Sequence, residues 1–323
     1  MPSAFRIVGQ RELALLLLCL AAGVVFVALS PAYLSAGNVA AVLRNCVELM
    51  LVGLGITLLL AMGGIDVTVG LVLGLAAIAI GRLLLAGFDP WVAAAAGPLV
   101  GLAIGLITGA VVVFGRIPAI VATIGLLGVY RTAVFVALGG QWLSGLPPTL
   151  SAIFAGQIFG IVPVSYLVIG AIYAVAWAAL RKTPFGLHLL AIGNNEERAR
   201  LAGIAVKQVR LGVYAVSGAL CGIAAIFYIS TYRNVEMTVG STLALDAIAA
   251  VVLGGTNILG GRASLLGTVF GVLLIRMLQN GFTLIGLPSL WQPVVTGALL
   301  IGALLIERGL GRDVLRRVTL RAA

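Results

Sequence analysis

The stretch CVELMLVGLGITLLLAMGGIDVTVGLVLGLAAIAIG, residues 46–81, decides the fold. Two apolar runs, 46–62 and 67–81, flank Gly63-Gly64-Ile65-Asp66, and within the runs themselves only Glu48 is charged. A spanning helix needs roughly 20 mostly apolar residues, because each adds ~1.5 Å of rise through ~30 Å of hydrocarbon. Working outward, further apolar runs lie at 13–29, 91–114, 117–138, 162–180, 209–229, 243–257, 265–285 and 292–306. The expectation is an all-α, polytopic membrane protein of about ten transmembrane helices, with residues 1–323 forming a single membrane domain.

Composition supports this. The chain is 62% hydrophobic and 9% charged, where a soluble domain carries about 25% charged residues. The net charge of +10 comes from 20 Lys and Arg against 10 Asp and Glu. These basic residues sit between apolar runs, so topology and the lipid surface account for them rather than nucleic acid. Cys19, Cys46 and Cys221 have no CxxC spacing and read as buried, inert thiols. The first run is long and lacks a small-x-small cleavage site after Ser30-Pro31, so it reads as a retained span.

Short cytoplasmic loops carry the excess of Lys and Arg. The tail holds Arg308, Arg312, Arg316, Arg317 and Arg321, and the 181–210 stretch holds Arg181, Lys182, Arg198, Arg200, Lys207 and Arg210. Six runs precede that stretch and four follow it, so both termini and the stretch are expected on the cytoplasmic side. Arg6, Arg11, Arg116 and Arg262 fall on the same side of this topology.

Many of the 43 glycines lie within the runs. Gly101-x3-Gly105-x3-Gly109 and Gly267-x3-Gly271 put small residues on one helix face, which lets helices approach closely in lipid. Each stripe is followed by a proline turn, Arg116-Ile-Pro118 and Gly286-Leu-Pro288, an echo consistent with two five-helix halves.

Charges inside spans cost roughly 2.5–3.5 kcal/mol on insertion scales and are therefore functional candidates. Here they are Glu48, Asp66, Arg131, Asp246 and Arg276. In Gly63-Gly64-Ile65-Asp66-Val67-Thr68-Val69-Gly70 the paired glycines interrupt an apolar stretch, and an Asp-x-Thr can satisfy freed amides. The segment reads as a broken helix or a tight turn, with Asp66 either a helix cap or a group lining a route. Glu48, Arg131, Asp246 and Arg276 read as buried ion pairs or as substrate contacts.

The loop 183–207 is long, charged and patterned. Pro184-Phe185-Gly186 and Gly193 precede Asn194-Asn195, which offers an N-cap; Glu196 and Glu197 suit a helix start, and Gly203 supplies a stop. A short helix is expected outside the membrane, with Leu201 and Ile204 forming a small apolar docking surface.

Catalytic chemistry is not indicated. No P-loop occurs, and neither Lys182 nor Lys207 follows a glycine. His188 is the sole histidine, which rules out paired-histidine metal sites, and it has no Gly-x-Ser-x-Gly partner. The reading is a non-enzyme with no cofactor and no metal site.

Residues 63–70 resemble the GGIDLSVG signature of permease subunits of ribose-type ABC sugar importers. Phe185-Gly186 through Ala191-Ile-Gly-Asn-Asn195 to Ala202-Gly-Ile-Ala-Val206 resembles that family's cytoplasmic loop, and Leu245 to Gly255 through Gly260-Gly261 its late glycine motif. Ile117-Pro118 to Gly125, Tyr130-Arg131, Gly139-Gly-Gln-Trp142 and Gly145-Leu-Pro147 are similar to the autoinducer-2 and rhamnose permeases within it. Leu245 departs from the glutamate the family often carries there.

The resemblance implies a bacterial inner-membrane permease working with a separate ABC ATPase, a periplasmic binding protein, a second permease and a sugar-like substrate. It implies ATPase coupling through Phe185, Gly186, Gly193, Asn194, Glu197, Ala199, Leu201, Gly203 and Ile204. It implies a pathway or broken helix at Gly63, Gly64, Asp66, Thr68, Gly70 and Asp246. The rival class is an ion-coupled secondary transporter or channel using Glu48, Asp66 and Asp246 as ion sites.

Overall fold

In the computed structural model, described for residues 10–154, 156–158, 160–303 and 305, helices occupy all ten apolar segments. They are α1 (Gln10–Leu29), α2 (Ala36–Ala61), α3 (Val69–Leu85), α4 (Pro90–Gly115), α5 (Ala119–Leu138), α7 (Ser165–Lys182), α10 (Val206–Tyr232), α11 (Leu243–Leu253), α12 (Leu265–Leu284) and α13 (Trp291–Ala303). Three short helices stand between them: α6 (Thr149–Phe154), α8 (Pro184–Asn194) and α9 (Glu196–Leu201). A two-stranded hairpin, Gln157–Ile158 with Val162–Pro163, belongs to the connection before α7. The protein is thus a polytopic helical membrane protein, and among the described residues six helices are long and apolar enough to cross a bilayer. Arg6 and the five arginines expected in the tail lie outside the described residues.

Helix ends follow local chemistry. Ser35 starts α2 by accepting the Asn38 amide, and α2 begins ten residues before the apolar run because its polar first turns find partners. Asn38 exchanges side-chain hydrogen bonds with Asn280 at 2.9 Å, and Asn45 accepts from the Tyr232 hydroxyl. At the other extreme α11 stops at Leu253, short of the expected 257, because Gly254-Gly255 follows and Gly255 takes φ +88°.

The centre of the molecule is α2, whose Leu49, Leu51, Val52, Ile56, Leu59 and Leu60 are fully buried. The other central helix is α10. By contrast α1 and α5 turn large apolar side chains outward, among them Leu17, Leu20, Val24, Ile124, Val129 and Val136. Such an outer shell suits lipid rather than water.

The glycine stripes are helix-packing faces. A Cβ at Gly101 would overlap the Gly218 carbonyl, one at Gly97 or Gly105 would strike Gly222 or Tyr214, and one at Gly222 would strike Gly97. Backbone therefore meets backbone along α4 and α10. Likewise Gly267 and Gly271 bring α12 against Gly254 and Ala250.

Two long helices end in breaks, α2 at residues 62–68 and α10 at residues 233–242, and each break leads into a shorter helix. The breaks converge, since a Cβ on Gly70 or on Gly240 would overlap the other's carbonyl. The contacts of α2–α4 and α10–α12 are mirrored. Where α10 packs on α4 and α3, α2 packs on α12 and α11, and α3 meets α4 as α11 meets α12. Helices α1 and α7 fall outside the exchange, α1 resting on α12 and α7 on α2.

Candidate functional site: the double-glycine break and the loop beneath it

Gly63 takes φ +76°, a conformation that ends α2 and costs a residue with a Cβ about 1–2 kcal/mol. Buried Asp66 then turns its Oδ1 back to accept from the Thr68 amide at 2.8 Å and from the Thr68 hydroxyl at 2.6 Å. This is an Asx-type turn onto the amide of Thr68, the N-cap residue, and it holds the chain as it enters α3. Thr68 is itself fully buried, and Gly70, two residues on, makes the close approach to Gly240.

Asp246 belongs to a different cluster. Its Oδ2 accepts from Gln279 Nε2 at 3.2 Å and lies 3.9 Å from Arg276 Nη1, which donates to Gln279 Oε1 at 2.7 Å. Glu48 is buried on α2. Two of the four charges expected to pair, Asp246 and Arg276, therefore meet. Arg131 corrects that expectation: it sits on the exposed side of α5, because the face of α5 bearing Tyr130 and Val134 is the one turned inward. Tyr130 meets the Thr108 hydroxyl of α4 at 2.9 Å.

The loop contains the expected short helix. Asn195 caps α9 by accepting the Arg198 amide at 2.8 Å, and Gly203 at φ +82° ends the turn after it. Glu197 faces solvent in an ion pair with Arg200 at 3.3 Å, and Ala199 packs inward. Leu201 projects, 80% exposed. Ile204 does not join it. It packs against the core, since its amide is drawn back to the Ala199 carbonyl. The second exposed apolar residue of the loop is instead Leu187 on α8, at 69%. Phe185 is half-buried beside Gly186, whose tight fit against the Leu180 carbonyl permits the turn from α7 into α8.

The loop touches the break directly. A Cβ on Gly193 would overlap the Ala61 carbonyl, and one on Gly260 or Gly261 would strike Gly193 or the Asn194 side chain. The Gly261 amide donates to the same Ala61 carbonyl at 3.0 Å. So the end of α8, the last residue of α2 and the Gly260-Gly261 turn meet backbone to backbone, immediately before Gly63.

Sequence reasoning missed Tyr214 and Leu259. Tyr214, 1% exposed, lines a cavity with Gly63, Gly64 and Arg210. Its spacing from Gly218 and Gly222 places all three on the α10 face turned to α4, and that spacing is the signal available in the sequence. Leu259, 81% exposed beside Gly260, carried no signal beyond an apolar residue in a glycine-rich loop.

A family model described as "Branched-chain amino acid transport system / permease component" matches residues 38–304. Curated relatives include the "Autoinducer 2 import system permease protein LsrC" of Yersinia pseudotuberculosis, 35% identical over 282 residues, covering 85% of this chain and 80% of the relative. The LsrC proteins of Enterobacter sp. and Klebsiella pneumoniae are each 36% identical over 298 residues, covering 92% of this chain and 87% and 86% of theirs. No solved structure matches.

Proposed function

The chain belongs to the permease-component family of these transport systems, and from that premise we propose that it is the membrane subunit through which an ABC importer moves a sugar or sugar-like molecule into a bacterium. The observation that carries the reading is the contact just described. A capped helix outside the membrane, presenting Leu201, is joined through α8 to the backbone at the double-glycine break. The chain holds no P-loop, so ATP is hydrolysed by a partner docked on α8 and α9. Docking changes the relative stability of outward-open and inward-open forms only through contacts that differ between them, and Gly193 on Ala61 is where such a difference enters the membrane. The coupling set is then Phe185, Gly186, Gly193, Asn194, Glu197, Ala199 and Leu201, with Gly203 and Ile204 shaping the exit from α9. Gly63, Gly64, Asp66, Thr68 and Gly70 form the broken element that moves, and Asp246 holds its counterpart at the start of α11.

The names of the relatives favour autoinducer-2, and the resemblance of the sequence motifs adds rhamnose and other pentoses or hexoses, delivered by a periplasmic binding protein. Tight selection by that protein relieves the membrane route of the need for charge. In this reading the six long helices, the three shorter apolar helices α3, α11 and α13, and α7 make ten crossings, with both termini and the 183–207 loop cytoplasmic. The mirrored contacts support two antiparallel halves, related through α2–α4 and α10–α12. A second permease covers the exposed side of α5, because Arg131 near the middle of that helix is too costly to leave facing lipid.

Leu201→Asp tests the reading. It places a charge in the ATPase contact while leaving the fold intact, so ATPase retention on the purified permease should fall about thirtyfold, the effect of losing one ~2 kcal/mol anchor. Ile204→Asp, at a half-buried position, should reduce permease abundance as well. Uphill uptake by the isolated chain on a proton or sodium gradient, unaffected by Leu201→Asp, would overturn the importer assignment.

A further inference from the structure

The connections that join α3 to α4 and α11 to α12 hold corresponding places in the mirrored halves, yet they are built differently. The first, residues 86–89, is a short turn, whereas the second, residues 254–264, is long and bonded to itself. In its middle the Asn257 side chain accepts the Leu259 amide at 3.0 Å and the Asn257 carbonyl accepts the Gly260 amide at 3.1 Å. The Asn257 amide donates to the Arg262 carbonyl at 3.1 Å, and Arg262 Nε donates to the Gly255 carbonyl at 3.0 Å. Thr256 and Gly260 are buried and Ile258 packs against the core, while Leu259 between them stands 81% exposed. A leucine on a turn held in this way is fixed in position before anything covers it, so covering it costs little further ordering.

What covers it follows from where the turn stands. The Gly261 amide donates to the carbonyl of Ala61, the last residue of the central helix α2, so the turn is not part of the outer shell formed by α1 and α5. Gly260 and Gly261 fit against Gly193 and Asn194, and Asn195, the next residue, caps α9, from which Leu201 projects. The surface bearing Leu259 is therefore continuous with the loop on which the ATPase docks.

We propose that the turn at residues 256–262 is a second docking contact for the ATPase, with Leu259 as its apolar anchor. The proposal rests on the importer reading and deepens it. The Leu259 carbonyl lies 3.5 Å from where a Cβ on Gly63 would stand, so this contact reaches the double-glycine break without passing through α8. The Ser264 amide donates to Thr256 Oγ1 at 3.1 Å, and Ser264 caps α12 by accepting the Gly267 amide at 3.0 Å, so the same turn leads into the second half of the molecule. The ATPase thereby holds the break at two points, through Gly193 on Ala61 and through the turn on Ala61 and Gly63. Its surface carries an apolar depression for Leu259 beside the one that receives Leu201.

The test uses the full chain carrying Leu259→Cys in inverted membrane vesicles, with a membrane-impermeant maleimide added to the exposed cytoplasmic face. Cys19, Cys46 and Cys221 are buried, so the introduced thiol gives the signal. It should label readily in vesicles from cells lacking the ATPase and roughly tenfold more slowly when the ATPase is co-expressed and bound. In a second measurement Leu259→Asp should lower retention of the ATPase on the purified permease roughly tenfold, while Leu259→Met should keep it. If Leu259→Asp also lowers abundance, protection of the cysteine decides alone. The proposal is overturned if the thiol never labels from this side, if it labels equally fast with and without the ATPase, or if Leu259→Asp at normal abundance retains the ATPase fully. The importer reading survives any of these as long as Leu201→Asp releases the ATPase. Both readings fall if the parent chain retains no ATPase at all.

Discussion

The two breaks in the membrane domain do the same geometric job by different means. At residues 62–68 the chain is turned by glycine at φ +76° and held by one side chain, Asp66, bonded to its own neighbour Thr68. At residues 233–242 it is held from outside. Arg233, at φ +52°, donates to the Leu146 carbonyl at 3.0 Å, and Leu143 and Val235 exchange backbone hydrogen bonds across an isolated bridge. The first break is local and carries its own brace in the Asp66 turn; the second depends on the long connection before α7. Only the first is in backbone contact with the loop proposed to receive the ATPase. A self-braced turn can shift as a unit, whereas a turn laced to a distant segment is a fixed abutment for it.

The sharpest way to break this comparison is at the point where the two breaks meet. Gly240→Ala pushes a Cβ into the Gly70 backbone and forces a left-handed conformation, so it should cost roughly 3 kcal/mol or more and collapse membrane abundance. Gly63→Ala has the same conformational cost, but its Cβ meets only the Leu259 carbonyl at an ordinary 3.5 Å, so about 1–2 kcal/mol is expected. Thermal unfolding of the two variants in detergent should rank them in that order. Equal losses would mean that the convergence of the breaks carries no weight.

A smaller effect is expected at Asp66, whose turn onto Thr68 braces the first break. Asp66→Asn retains an oxygen to accept the Thr68 amide and should keep part of its transport, while Asp66→Leu strands two buried donors, costs about 1–3 kcal/mol and should lose transport. Complete and equal loss in both, at normal abundance, would show that the charge itself is needed and would favour the ion-coupled class.

This contrast also explains what was legible in the sequence. The first break was readable because everything that makes it is consecutive: two glycines, then Asp-x-Thr. Helix α9 was readable for the same reason, with Asn195, the two glutamates and Gly203 all within one short segment. The second break gives no such signal, because its supports at Leu143 and Leu146 are about 90 residues away in the chain. Arg131 and Ile204 were misplaced because helical periodicity gives a residue's position around an axis but not which side the neighbouring helices occupy. Tyr214 escaped notice since a lone tyrosine in an apolar helix is ordinary until its neighbours are known.

In the proposed topology the connection bracing the second break and the loop touching the first lie on opposite sides of the membrane, with α7 crossing between them. Single cysteines replacing exposed Ser144 and exposed Arg198 test it with an impermeant thiol reagent, the native thiols being buried. Ser144→Cys should label in intact cells and Arg198→Cys only in inverted vesicles. Labelling of both positions from one side, or of Arg198→Cys alone from outside the cell, would contradict the account.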